Sequence, residues 1–146
     1  MQQAAEALGL EVEVVERPEA DSLEGAAALL GIAPSSIVKS LVVARSDGTF
    51  LFALVPGDRQ IAWPRLRAAV GVNRLRLPSA DEARAATGYE RGTITPLGSS
   101  TAWPVFADAR IAGRIAMGAG AHGRSAFVDA AALLQALDAH VADITA

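Results

Sequence analysis

The chain has 146 residues, 51% of them apolar, with 13 basic and 16 acidic side chains and a net charge of −3. These values suit one domain over residues 1–146 with a packed core, and they argue against a disordered chain or a general nucleic-acid binder. Cysteine is absent, which excludes disulfides, a thiolate nucleophile and a cysteine-based metal site, and a cytoplasmic setting is expected.

The first third of the chain predicts a strand, a helix and a hairpin. The amino terminus has no signal-peptide pattern, and no uncharged apolar run reaches the roughly 18–20 residues that span a bilayer, so we expect no membrane partner. LEVEVVE (10–16) alternates like a strand. The segment 21–31 predicts a helix, with capping-box spacing between Asp21 and Glu24 and with Gly31 placed to end it.

The hairpin lies in SLVVARSDGTFLFALV, residues 40–55. Two β-rich runs flank the turn sequence RSDG, which is a good hairpin signal. Both runs are apolar on both faces, so we expect the hairpin to lie centrally in a sheet.

The rest of the chain mixes helices with strands. A short helix is predicted over 63–71, with Pro64 near its first turn, and a second over 79–87, with a capping box from Ser79 to Glu82. A last helix is expected over 129–141, capped by Asp129. Further runs predict strands: 72–77, 102–109, 113–120 and 125–129. Hairpins mixed with helices indicate the α+β class with a mixed sheet that can curl, and no dinucleotide or Walker phosphate loop is present.

Lys39 is the only lysine in the chain, whereas arginine occurs twelve times. It stands at the entry to the first hairpin strand, between Val38 and Leu41. On sequence alone, reaching along the apolar surface to water is the commoner outcome for such a side chain. The alternative is a polar cleft, where a lysine stabilises negative charge, contacts a phosphate or forms a Schiff base.

Two glycine-rich loops are the other candidates. TGYERGTITPLG (87–98) could present backbone N–H groups to a carbonyl oxygen, or it is a plain surface connection. MGAGAHGRS (117–125) surrounds His122 with glycines, and a histidine there could bind substrate or act as a base. A lone loop histidine is more often simply exposed. With only two histidines and no clustered acids, we expect no metal site and no cofactor.

A local basic patch interrupts the acidic chain. Residues 59–76 carry five arginines and no acid: Arg59, Arg65, Arg67, Arg74 and Arg76. They are either solvated side chains beside buried apolar residues or contacts for phosphate, which suits the guanidinium fork.

Together these segments resemble the YbaK/ProX-type aminoacyl-tRNA deacylases, the free-standing relatives of the editing domain inserted in bacterial prolyl-tRNA synthetases. The likeness rests on IVKSLVV, PGDRQI, the arginine-bearing segment and ATGYERGTITPLG, in that order, and runs from about residue 20 to the end. It implies a mixed, barrel-like sheet surrounded by helices. It also implies hydrolysis of the ester between a wrong amino acid and tRNA, chiefly tRNA for proline.

The resemblance implies functional roles for the residues that match the motifs of the family. The essential lysine of the family falls on Lys39, and the varying position after it on Ser40. The loop that shapes the amino-acid pocket falls on Gly92, Thr93, Ile94, Thr95 and Pro96, with Gly88 and Tyr89 leading into it. The late glycine-rich segment that completes the site contributes Gly118, Gly120, His122 and Ser125.

The resemblance therefore implies a trans-editing hydrolase with mischarged tRNA as its substrate and a prolyl-tRNA synthetase as a possible partner. The arginine patch becomes a candidate for acceptor-stem phosphates. One alternative is a module of the same fold that binds tRNA or a synthetase without hydrolysis. The other, from the residues alone, is a Schiff-base lysine enzyme acting on a small carbonyl compound.

Overall fold

A computed structural model describes all 146 residues. Five α-helices are present: α1 (Gln2–Ala7), α2 (Leu23–Leu30), α3 (Trp63–Val70), α4 (Ala80–Thr87) and α5 (Ala130–Ala136). A 3-10 helix covers Pro34–Ser36. The strands are β1 (Glu13–Glu16), β2 (Val38–Arg45), β3 (Phe50–Pro56), β4 (Leu75–Arg76), β5 (Val105–Asp108), β6 (Arg114–Gly118), β7 (Arg124–Asp129) and β8 (His140–Ala142). No helix combines the length and the apolar character needed to cross a bilayer.

The strands form two sheets. The larger has the order β4-β2-β3-β5-β8, with β2 and β3 antiparallel and β5 parallel to both β3 and β8. The smaller is antiparallel, with the order β1-β7-β6. The predicted α+β class, the mixed sheet and the central hairpin are therefore confirmed. The barrel-like closure is not confirmed, because a single bridge between Ile37 and Ala116 joins the two sheets.

The larger sheet has apolar cores on both of its faces. Val42, Phe52 and Leu54 point toward the smaller sheet, whereas Val43 and Leu51 point to the opposite face. The alternation of β-strands places successive residues on opposite faces, which explains why both runs of the hairpin are apolar throughout. Burying a Phe or Leu side chain fully stabilises the folded state by about 1.5–3 kcal/mol relative to leaving it exposed. The strand pair β2–β3, which contributes most of these side chains, therefore stabilises the centre of the fold.

The helix ends follow their capping residues, with one exception. Ser79 and Glu82 form the predicted capping box, and Asp129 accepts a hydrogen bond from Ala132 N–H at the start of α5. The capping box predicted at Asp21 is wrong. The structure begins α2 one residue later, where Ser22 Oγ accepts from the N–H of Gly25.

Several elements differ from the sequence predictions in their bounds or in their presence. The last helix ends at Ala136 rather than at 141, because the chain turns at Asp138, which has a φ of 50°, and then continues as β8. The strand predicted over 72–77 is reduced to Leu75–Arg76, which pairs with the end of β2. Helix α1 was not predicted, since it has no side-chain cap; it is held by Ala5 in the core.

Candidate functional site

The edge of β2 opens into a cleft of about 550 Å³. Strand β4 pairs only with Ala44 and Arg45, so the edge of β2 before Ala44 has no neighbouring strand on that side. The start of α2, the start of α4, the loop around Gly92 and the facing ends of β6 and β7 complete the walls. Residues from both faces of β2 therefore line the same cleft.

Lys39 lines this cleft, half-buried, and its side chain is held in place. Its Nζ donates a hydrogen bond to the Arg59 carbonyl oxygen at 2.6 Å. Burial lowers the pKa of Lys39, and the nearby carboxylates of Asp58 and Glu24 act in the opposite direction. An ammonium group has three donors, so two N–H groups remain for a ligand.

Arg59 belongs to a network that holds the end of the chain, here called the tail clamp: Arg59, Arg65, Asp108, Arg110, Asp143 and Thr145. Arg59 Nε donates to the buried Thr145 Oγ1 at 2.6 Å, and Arg65 Nη1 donates to the Thr145 carbonyl oxygen at 2.7 Å. The buried Asp108 accepts from the Ile144 N–H. The backbone carbonyl that positions Lys39 is thus fixed by contacts 86 residues away.

Ser40 follows Lys39 and points to the opposite face of β2. By strand alternation it shares its face with Val38 and Val42, which pack into the core between the sheets. Its Oγ is buried and has no hydrogen-bond partner. Ser40 also lines the cleft, so the cleft contains one hydroxyl that the protein leaves unpaired.

Only part of the predicted pocket loop reaches the cleft. Gly92, with a φ of 88°, and Ile94 line it. Thr93 and Thr95 are buried behind them, where Thr93 Oγ1 donates to the Glu90 carbonyl and Thr95 Oγ1 accepts from the Leu97 N–H. The neighbouring Pro96 is also buried and does not line the cleft. These three residues shape the loop from inside.

The two glycine-rich segments pack directly on each other. The Gly120 N–H donates to the Thr93 carbonyl at 3.0 Å. A Cβ atom on Gly118 would lie 2.5 Å from the Ile94 carbonyl oxygen, so no larger residue fits there without movement. The structure thus brings together segments that are more than 20 residues apart in the sequence.

Tyr89 supports this loop from outside the cleft. Its hydroxyl donates to the Leu97 carbonyl at 2.6 Å, and burial raises the pKa of Tyr89. Gly120 packs against its ring. Gly88 ends α4 in the left-handed conformation, with a φ of 80°. Gly88 and Tyr89 therefore fix the start of the loop and do not line the cleft.

His122 and Ser125 have different positions. His122 is exposed, with its Nε2 3.1 Å from Glu90 Oε2, and it does not line the cleft. Ser125 is buried in the cleft wall, and its Oγ accepts from Arg17 Nε at 3.0 Å.

Sequence reasoning missed three arginines of the cleft, namely Arg17, Arg91 and Arg124. Strand β1 pairs with β7, which sets Glu16 opposite Arg124 and brings Arg17 beside Ser125. Arg91 precedes the Gly92 turn, and its side chain forms no ion pair. No local pattern marks Arg17 or Arg124 as cleft residues, because their neighbours come from distant strands.

The five-arginine segment divides into two groups. Arg59 and Arg65 belong to the tail clamp. The others line a second, separate cleft of about 420 Å³, here called the arginine cleft, whose arginines are Arg45, Arg67, Arg74 and Arg76. Arg76 makes a two-pronged ion pair with Glu82, which lowers the pKa of Glu82 to about 2.

No group of three or more His, Asp or Glu side chains is placed to share a metal ion. The polar groups that line the main cleft include an ammonium, hydroxyls, guanidinium groups, backbone amides and the carboxylate of Asp21. Such a set can bind and polarise an anionic or ester-bearing molecule.

Comparison with known proteins finds an aminoacyl-tRNA editing domain family and several prolyl-tRNA synthetase relatives. The family model of the aminoacyl-tRNA editing domain matches residues 17–136. The proline–tRNA ligase of Bacillus licheniformis is 30% identical over 112 residues, which is 77% of this chain and 19% of the ligase. That of Thermosipho africanus is 36% identical over 88 residues, which is 60% of this chain and 16% of the ligase. This chain therefore spans less than a fifth of the length of either ligase.

A solved structure covers the whole fold. The crystal structure of a proposed trans-editing enzyme for prolyl tRNA synthetase superposes with a TM-score of 0.91 and 28% sequence identity. The superposition covers 99% of this chain and 94% of that one.

Proposed function

This chain belongs to the aminoacyl-tRNA editing domain family, and on that premise we propose that it is a trans-editing hydrolase. Its substrate is tRNA for proline that carries a small wrong amino acid such as alanine, serine or cysteine, and the bond broken is the aminoacyl ester. The observation that carries this proposal is the position of Lys39, whose ammonium group shares a cleft with Gly92, Ile94 and Gly118.

The chemistry needs positioning more than reactive groups. An aminoacyl ester is already activated, so a placed water and a stabilised oxyanion suffice, with neither metal nor covalent nucleophile. The two free N–H groups of Lys39 contact the terminal nucleotide or the ester. The water, oriented by a substrate ribose hydroxyl, adds to the carbonyl carbon of the ester. The C–O bond to the ribose then breaks, and the ribose oxygen leaves with a proton that comes from the water.

Backbone amides of the loop are the proposed oxyanion donors. The N–H groups of Thr93 and Gly120 already donate to carbonyl oxygens. Those of Gly92 and Ile94 have no such partner in the protein, so we assign the oxyanion to them. Removing one such donor typically costs about 10²–10³ in rate, which is the scale expected for this loop.

The cleft also selects by size. Ile94 and Met117 form apolar walls, and Gly118 lies against the loop without room for a side chain. A site built for small residues rejects larger ones by steric clash, whereas one missing methylene is worth only about 1–3 kcal/mol. Such a second sieve complements a synthetase that admits small amino acids by mistake.

The tRNA contacts are assigned to the arginines of the two clefts. Arg17, Arg91 and Arg124 stand around the main cleft, where they can meet the phosphates of the tRNA 3′ end. The arginine cleft offers a second contact for the acceptor stem. Since the net charge is −3, we expect weak and salt-sensitive binding. Aminoacyl-tRNA is made and used in the cytoplasm, which we therefore assign as the site of action, with a prolyl-tRNA synthetase supplying the mischarged tRNA.

Release of labelled amino acid from mischarged tRNA for proline tests the proposal. The wild-type chain should release alanine, serine or cysteine, and Lys39→Ala should lower the rate at least a hundredfold. Arg84→Ala, which removes an exposed cation outside both clefts, is the matched control and should leave the rate unchanged.

Circular dichroism of both variants establishes that they fold. Retained tRNA binding with no release from any charged species would favour the non-catalytic binding module. A covalent adduct at Lys39 after borohydride treatment with a carbonyl compound would favour the Schiff-base alternative.

A further inference from the structure

Ser40 is the one cleft serine whose hydroxyl has no partner inside the protein. Four serines line the cleft: Ser22, Ser40, Ser79 and Ser125. The first and third cap the starts of α2 and α4, and Ser125 accepts from Arg17. Ser40 Oγ is buried and makes no hydrogen bond. A buried hydroxyl without a partner is unfavourable, and the protein uses neither the donor nor the acceptor of this one.

Apolar residues share the strand face and the cleft of this hydroxyl. Val38 and Val42 share its face of β2, and Ile94 and Met117 line the same cleft. The loop at Ile94 lies against Gly118 so closely that a side chain at Gly118 would meet the Ile94 carbonyl oxygen. An apolar wall with a single hydroxyl matches a short side chain that has one polar atom.

We propose that Ser40 Oγ hydrogen-bonds the side-chain hydroxyl of the aminoacyl group, so that the cleft takes small hydroxyl-bearing residues in preference to alanyl. This inference rests on the proposed function and names its substrate class. Lys39 points to the other face of the strand. We therefore assign the ester and the terminal nucleotide to Lys39, and the side chain of the aminoacyl group to Ser40. A site built to pair a substrate hydroxyl discriminates against the analogue that lacks it, because its own polar group stays unpaired.

The test is the ratio of kcat/KM for seryl-tRNA to that for alanyl-tRNA, with both amino acids on the same tRNA for proline. In the wild type the ratio should exceed one. In Ser40→Ala it should fall about tenfold to a hundredfold, the effect of losing one buried hydrogen bond. Ser99→Ala is the matched control, because Ser99 Oγ is the other buried hydroxyl without a partner and does not line the cleft. It should leave the ratio unchanged.

Two results would overturn the inference while leaving the proposed function intact. One is a wild-type ratio below one. The other is an equal loss of both activities in Ser40→Ala, which would mean that Ser40 holds a part common to all substrates, such as the α-amino group. Release from neither charged species by the wild type would instead overturn the proposed function. Urea unfolding checks that Ser40→Ala is folded. We expect a midpoint like that of the wild type, because the variant removes a group with no hydrogen-bond partner in the protein.

Discussion

The arginines of residues 59–76 lie in two regions that use the same side chain in different ways. In the tail clamp, Arg59 and Arg65 donate to the oxygens of one buried residue, Thr145. In the arginine cleft, Arg67 and Arg74 have no ion-pair partner, and the surface is open. A guanidinium that is already hydrogen-bonded to the protein holds structure, whereas an unpaired one in an open cleft can meet a phosphate.

The difference also separates the two clefts. The tail clamp reaches the main cleft through the Arg59 carbonyl, which accepts the hydrogen bond from Lys39. The arginine cleft makes no such contact with Lys39. We therefore expect damage to the clamp to alter stability and the lysine together, and damage to the arginine cleft to alter tRNA binding alone.

Breaking the tail clamp at Asp108 should have the largest effect. Asp108 is fully buried and accepts from the Ile144 N–H and from the Arg110 side chain. In Asp108→Ala the buried amide loses its acceptor, so the free energy of unfolding should fall by about 3 kcal/mol. Urea unfolding followed by circular dichroism measures this. Arg74→Ala in the same assay should stay within about 0.5 kcal/mol of the wild type.

Equal midpoints for Asp108→Ala and the wild type would contradict the clamp as a structural device. They would mean that the contacts of Asp108 do not contribute to holding the end of the chain.

Removing a cation from the arginine cleft should have a moderate effect, and on binding only. Arg74→Ala should weaken binding of tRNA for proline about threefold to tenfold and lower the slope of log K against log salt by about one. Arg84→Ala is the control, because it removes an exposed arginine outside this cleft. Filter binding at several salt concentrations measures both. A loss of the same size in the control would show that only net charge matters.

The sequence predicts those features whose causes lie close together in the chain. RSDG predicts the hairpin, and Ser79 and Glu82 predict a helix start. Lys39 stands out because it is the only lysine and lies at the start of an apolar run. The division of the arginines could not be predicted in this way, because Thr145 and Asp143 lie about 80 residues from Arg65.

Long-range pairing explains the other differences as well. Strand β8 has a sequence that continues the apolar pattern of α5, and only its pairing with β5 makes it extended. Arg17 enters the cleft wall because β1 pairs with β7, far along the chain. Strand alternation predicts that Ser40 and Lys39 lie on opposite faces of β2. It does not predict that the Ser40 hydroxyl lacks a hydrogen-bond partner, because that depends on the residues that the fold places around it.

The smallest expected effect is on the pKa of Lys39, and it distinguishes the two regions most directly. Since Lys39 is the only lysine, a chain labelled with ¹⁵N at the lysine side chain gives a single Nζ signal. Burial disfavours the ammonium form, so the signal should titrate below the ordinary value of 10.5. The ammonium form is then lost at a lower pH than in an exposed lysine.

Thr145→Val should move this titration back toward 10.5. The valine keeps the shape of the buried threonine but removes the acceptor of Arg59 Nε, so the segment that holds Lys39 loosens and the ammonium meets more water. Arg74→Ala should leave the titration where it is, because the arginine cleft does not contact Lys39. If Arg74→Ala shifts the titration as much as Thr145→Val does, the tail clamp has no particular part in positioning the lysine. If only Thr145→Val shifts it, the end of the chain sets the electrostatics of the proposed catalytic residue.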